Sequence, residues 1–135
     1  MKYSDCRLIS ISMIKDMDGQ LCVAETRAQI PFEIKRIFVI QNVPSNATRG
    51  NHANKTSEFI YICLKGNMTV VTDTGENKRE FVLQADDKAL YLPVLTWMQI
   101  RDFSDDAILL VLASEPYKTK DYCNTYEEFL KEIQV

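Results

Sequence analysis

Histidine is almost missing from this 135-residue chain: His52 is the only one. The sequence also has no CxxC pair, no glycine-rich dinucleotide fingerprint and no long apolar run. Each absence removes a class of function. The four cysteines, Cys6, Cys22, Cys63 and Cys123, stand apart, which argues against a zinc knuckle. A catalytic cysteine is disfavoured too, because no second histidine exists to activate it. Without a dinucleotide fingerprint, no redox cofactor is expected. The opening MKYSDCRLIS holds no stretch long enough for a secretory signal or a membrane span. The expectation is a cytoplasmic protein with free thiols, in which Cys22 and Cys63 fill apolar strands. A net charge of −3 speaks against a general nucleic-acid binder, while leaving room for a local basic site.

What is present reads as one domain, residues 1–135, with 46% apolar and 26% charged residues. Short β-prone runs alternate with turn signals. RLISISMI, QLCVAE, IKRIFVIQN, EFIYICLKG, MTVVTD, KREFVLQ, KALYLPV, MQIRDFS and AILLVLAS give about nine strands. MTVVTD and KREFVLQ flank DTGEN, a hairpin signal. VPSNATRGN, polar and holding Pro44 and Gly50, reads as a loop. One helix is expected, at TYEEFLKEI: Thr125 and Glu128 form a capping box, and Tyr126, Phe129, Leu130 and Ile133 share a face that packs on the sheets. The fold class is all-β, a sandwich or barrel with a short C-terminal helix.

The histidine lies in RGNHANKTSEFIYICLKG. This segment resembles the first motif of a metal-binding barrel of the cupin type, which runs glycine, His-x-His, glutamate, strand and turn glycine. Gly50, His52, Glu58 and Gly66 keep that frame, but Asn54 stands where the second histidine would be. In the second motif Pro93 fits the proline, and Met98 takes the place of the last histidine. One histidine and one carboxylate are too few good ligands for a tight divalent site, so no metal is expected.

Other chemistry surrounds the same segment. Arg36, Arg49, Lys55 and Arg101 are cations able to meet an anionic ligand, and the arginine fork suits phosphate oxygens. Tyr61, Tyr91 and Trp97 are polar-edged aromatics able to stack on a base or a sugar. A histidine near such a ligand is a natural proton carrier. The bland alternative is that a lone loop histidine bonds locally, that strand arginines are solvated, and that Tyr61 and Trp97 are core.

Taken together, IPFEIKRIFVIQNV, RGNHANK, LYLPVLTWMQIRDFSDDAILLVLASEPY and DYCNTYEEF resemble the WxcM-like family of dTDP-4-keto-6-deoxyglucose 3,4-ketoisomerases, over nearly the whole chain. The resemblance implies an RmlC-like cupin, a double-stranded β-helix or jelly roll without metal or cofactor. It implies a homodimer that exchanges N-terminal strands, and a dTDP-linked 4-keto-6-deoxy sugar as partner. The implied reaction moves the ketone from C4 to C3 through an enediol, ahead of an aminotransferase, on the way to 3-amino-3,6-dideoxyhexoses of surface glycans. Removing a proton beside a ketone needs a base and a group that stabilises the enediolate. His52 is the candidate base. Asn54 is placed beside it as a catalytic-site residue orienting a sugar oxygen, since an amide takes up no proton. Arg36, Arg49, Lys55, Tyr61, Trp97, Arg101 and Asp102 form the expected substrate-binding set.

This chain departs from the family pattern at HANK, where HAHK is usual, and at WMQ, where WHE is usual. Two further readings follow. One is a nucleotide-sugar-binding module without catalysis. The other is an epimerase of the RmlC-like type, which also removes a proton beside a ketone.

Overall fold

Alternation of apolar and polar residues builds two antiparallel sheets that face one another. The computed structural model describes residues 5–134. Residues 1–4, which open the N-terminal stretch considered above, and Val135 lie outside the described residues. The strands are β1 (Arg7–Ser10), β2 (Ser12–Asp16), β3 (Gly19–Val23), β4 (Arg36–Gln41), β5 (Arg49–Asn54), β6 (Phe59–Lys65), β7 (Asn67–Asp73), β8 (Lys78–Gln84), β9 (Lys88–Leu92), β10 (Trp97–Arg101), β11 (Ile108–Ala113) and β12 (Tyr122–Cys123), followed by helix α1 (Tyr126–Ile133). One sheet has the order β1-β9-β6-β11-β4, the other β12-β5-β10-β7-β8. Strands β2 and β3 form a separate hairpin. This is the expected all-β jelly roll with a short terminal helix.

The main core lies between the sheets. Phe59, Tyr61 and Cys63 of β6 meet Met68 and Val70 of β7 and Met98 and Ile100 of β10, all buried. The outer face of the first sheet carries its own apolar layer, in which Ile30 and Phe32 of the β3–β4 segment cover Ile60, Ile62 and Leu112. The outer face of the second sheet is covered by α1, whose Phe129 is buried against Ala53 and Cys123. Burying a phenylalanine side chain is worth on the order of 1.5–3 kcal/mol. Thr125 caps α1 as expected, its hydroxyl accepting from the Glu128 amide.

Two expectations change. Cys22 is exposed on the isolated hairpin and fills no core. Among the described residues its strand pairs only with β2, outside the two packed sheets. Arg49–Asn51, read as loop, belong to β5. Their polar side chains carry little strand signal, but β10 pairs with this segment through the backbone, which composition does not reveal.

β5 is also irregular. Ile100 lies opposite Arg49 and Gln99 opposite Gly50, but Met98 lies opposite His52, so Asn51 is an extra residue. Gly50 (φ 89°) and Asn51 (φ 61°) both adopt left-handed backbone conformations at this bulge. A Cβ on Gly50 would sit 2.3 Å from the Met98 sulfur. Strict alternation would put Arg49 and His52 on opposite faces. The bulge places both opposite buried inner-face residues, Ile100 and Met98.

The far end of β5 is held by one carboxylate. Asp121 accepts from Asn54 Nδ2 (2.8 Å), Thr56 N (2.6 Å), Thr56 Oγ1 (2.7 Å) and Ser57 Oγ (2.6 Å). Its backbone carbonyl accepts from Lys55 N at 2.7 Å. Burial pushes this carboxyl up, but the hydrogen bonds from Ser57, Asn54 and Thr56 outweigh it and hold it at about 2. A carboxylate depressed below its unfolded value stabilises the fold above that value and loses this effect as pH falls through the folded one. Asp121→Asn is expected to cost about 2–4 kcal/mol at neutral pH, because it sets an amide donor against hydrogen-bond donors. In urea titrations the gap between wild type and variant should close from about pH 4 to pH 2. A gap that persists at pH 2 would remove the charge from this explanation.

Candidate active site

His52 is half-buried on the inner side of β5, beside Met98. Burial lowers its pKa from the ordinary histidine value, against the raising effects of a hydrogen bond to the Gly50 backbone and of the Asp121 charge. Burial thus favours the neutral imidazole, in which one ring nitrogen carries a proton and the other is free to accept one.

β12 completes the site. It pairs with β5 so that Tyr122 lies opposite Asn54 and Cys123 opposite Ala53. Cys123 therefore turns outward to α1, and Tyr122 turns inward to His52. The Tyr122 ring meets the imidazole edge-on, with centroids 4.9 Å apart. The Tyr117 ring is 5.7 Å from Tyr122, and the Arg36 guanidinium lies 5.6 Å from Tyr117 and 5.3 Å from Phe38. Arg36, Tyr117, Tyr122 and His52 thus form a continuous line from a cation to a base. The Nε of Arg36 is buried and has no hydrogen-bond partner among the described residues. Such a donor is costly unless a ligand satisfies it.

Of the residues expected from the sequence, His52, Arg36 and Tyr61 face the interior. Tyr61 is buried at the core, where burial raises its phenol far above the ordinary range. Arg49 shares the face of His52 and borders a cavity of about 310 Å³ formed with Val39–Pro44, Ala47 and Thr48. Asn54 lies beside the site, but its amide is engaged by Asp121 and so orients a protein carboxylate.

The others lie elsewhere. Trp97 packs against Tyr126 and Phe129 on the outer face, where it borders a cavity of about 470 Å³. Its neighbour Met98 takes the inner position, and alternation sends the indole outward. Arg101 pairs with Glu80 and, at 3.5 Å, with Asp102. Both partners are exposed, so Arg101 and Asp102 make a surface ion cluster. Lys55 is drawn to Glu132 of α1 at 3.7 Å. Glu58, the carboxylate of the cupin frame, accepts from Tyr91 at 2.5 Å beside the outer apolar layer. Tyr117, Tyr122 and Asp121 were not singled out from the sequence. Their only signal was their place in or beside the segments that carry the family resemblance.

The chain is similar to known proteins over nearly its whole length. The family model described as "WxcM-like, C-terminal" matches residues 4–134. The TDP-4-oxo-6-deoxy-alpha-D-glucose-3,4-oxoisomerase of Aneurinibacillus thermoaerophilus is 35% identical over 127 residues, covering 94% of this chain and 91% of the relative. A histidine-to-asparagine variant of the 3,4-ketoisomerase QdtA from Thermoanaerobacterium thermosaccharolyticum, solved with TDP-4-keto-6-deoxyglucose, superposes with a TM-score of 0.91 at 33% identity, covering 95% of this chain and 93% of that one. A 3,4-ketoisomerase from Helicobacter canadensis gives 0.93 at 34% identity, with 97% and 98% coverage. With a match across nearly its whole length, an inward histidine on a bulged strand and a jelly-roll frame, the chain belongs to the WxcM-like, C-terminal family.

Proposed function

We propose that the protein is a 3,4-ketoisomerase acting on a TDP-linked 4-keto-6-deoxy sugar, with His52 as the base that removes the C3 proton. The observation that carries this is the line from the unpartnered Arg36 Nε through Tyr117 and Tyr122 to His52. A nucleotide sugar has matching chemistry. Its diphosphate suits the guanidinium, and its sugar ring suits the aromatic walls. The half-buried imidazole, its pKa lowered by burial, suits proton abstraction beside a ketone. Relatives at 33–35% identity are isomerases of TDP-linked keto sugars by their names, which supports the same substrate class. Arg49, on the same face as His52, adds charge near the mouth. The product would feed an aminotransferase on the way to a surface glycan.

A homodimer belongs to this reading. The β2–β3 hairpin forms a sheet of its own among the described residues and exposes Ile14 and Leu21. Ile37 and Val39 expose further apolar surface on the outer side of β4. Exchange of the N-terminal hairpin between copies would cover such surface. The chain would act as one cupin domain, 1–135. Its free cysteines fit a reducing, cytoplasmic setting. Among the described residues no helix is long and apolar enough to cross a membrane.

The function is tested by incubating the protein with TDP-4-keto-6-deoxyglucose in deuterium oxide and following the sugar by proton NMR. A 3-keto product is expected, with deuterium at C4 to the extent that the proton held by His52 exchanges with solvent. Saturable binding with neither product nor exchange would instead leave a binding module. His52→Asn should lower turnover by about 1000-fold or more while TDP still binds, and normal turnover in that variant would remove His52 as base. Because burial lowers the His52 pKa, the acid limb of kcat/KM should have its midpoint below 6.5. A midpoint above 6.5 would mean that another group titrates. Sedimentation should return the mass of a dimer, and a monomer at micromolar concentration would count against the exchange of strands.

A further inference from the structure

Moving a ketone from C4 to C3 transfers two protons, one between carbons and one between oxygens. His52 is the only histidine, and a neutral imidazole takes up only one further proton. A second proton carrier must face the same sugar edge. The interior offers few. The Asn54 amide is bound to Asp121 and takes up no proton. Met98 has no exchangeable proton. Tyr61 is buried at the core, where its ionised form is strongly disfavoured. Tyr117 is 63% exposed and stands one ring farther from the imidazole.

Tyr122 meets the requirements of position. Its ring touches His52 at 4.9 Å, and it is half-buried on the inner side of β12. It is held from both sides. Backbone pairing with Asn54 fixes its strand, and the Asp121 carboxylate next to it in the chain binds Asn54, Thr56 and Ser57. Its phenol can give a proton and take it back.

The geometry points to Tyr122 as a second catalytic acid/base residue, the group that carries the proton between the two sugar oxygens while His52 carries the one between the carbons. This rests on the ketoisomerase reading above. As His52 takes the C3 proton, the C3–H electron pair becomes the C3=C4 double bond. The C4 carbonyl oxygen then takes the phenol proton from Tyr122. In the second half the Tyr122 phenolate removes the proton from O3, and that O–H pair closes the C3 carbonyl. The double-bond pair takes the proton of His52 at C4. Both residues return to their starting states, and no oxidant or metal is consumed. One histidine therefore suffices, provided that a phenol is its neighbour.

Tyr122→Phe keeps the ring against His52 and removes only the hydroxyl, so it is the variant to measure, beside wild type, with TDP-4-keto-6-deoxyglucose. The expected result is a fall in kcat of about 100-fold or more. KM and TDP affinity should change less than threefold. A purely structural role for the ring would leave kcat near that of wild type, since the ring itself is kept. A variant with kcat within threefold of wild type overturns the assignment of Tyr122 while the ketoisomerase reading stands. Absence of turnover in the wild type overturns both.

Discussion

The Asp121 carboxylate is the interaction on which the site depends. It accepts four hydrogen bonds from Asn54, Thr56 and Ser57, and so joins the end of β5 to the segment that becomes β12. Without that bond, β12 would be a two-residue strand at a sheet edge, too short to hold itself. With it, Tyr122 is pressed against His52. A buried carboxylate needs such a donor set to remain charged, and the charge in turn fixes the direction of every donor. In this chain the Asn54 amide serves as one of those donors.

The other constraint is the bulge at Gly50 and Asn51. It inserts one residue between Arg49 and His52 and so brings both to the inner side of the sheet. The same glycine keeps space for Met98. A side chain at position 50 would disturb both the bulge and the packing beside His52.

The remaining charged residues show how sequence proximity misleads. Lys55 and Arg101 lie within the segments richest in resemblance, yet each is neutralised on the outside by Glu132 or by Glu80 and Asp102. Trp97 is one residue from Met98 on the inner side, and it faces α1 instead. In strands, adjacent residues serve opposite faces. Arg36 differs from the other cations in having a buried nitrogen without a partner, next to aromatic rings on the path to His52.

Local pattern was enough to read most of the strands, the β7–β8 hairpin and the capped helix, because period-2 alternation, a turn glycine and a Thr-x-x-Glu box are properties of neighbouring residues. The family segments also pointed to the family from the sequence alone, as the match over residues 4–134 shows. Tertiary structure decided the rest. The strand identity of Arg49–Asn54 comes from pairing with β10 and β12, which are distant in sequence. Whether Arg49 faces inward depends on one inserted residue, and whether Trp97 does depends on the helix that covers it. The contact of Tyr122 with His52 joins residues on separate strands through a carboxylate and a backbone ladder. Composition can supply a base, but only the fold can supply its neighbour, because proton transfer requires contact and contact between distant segments is set by packing.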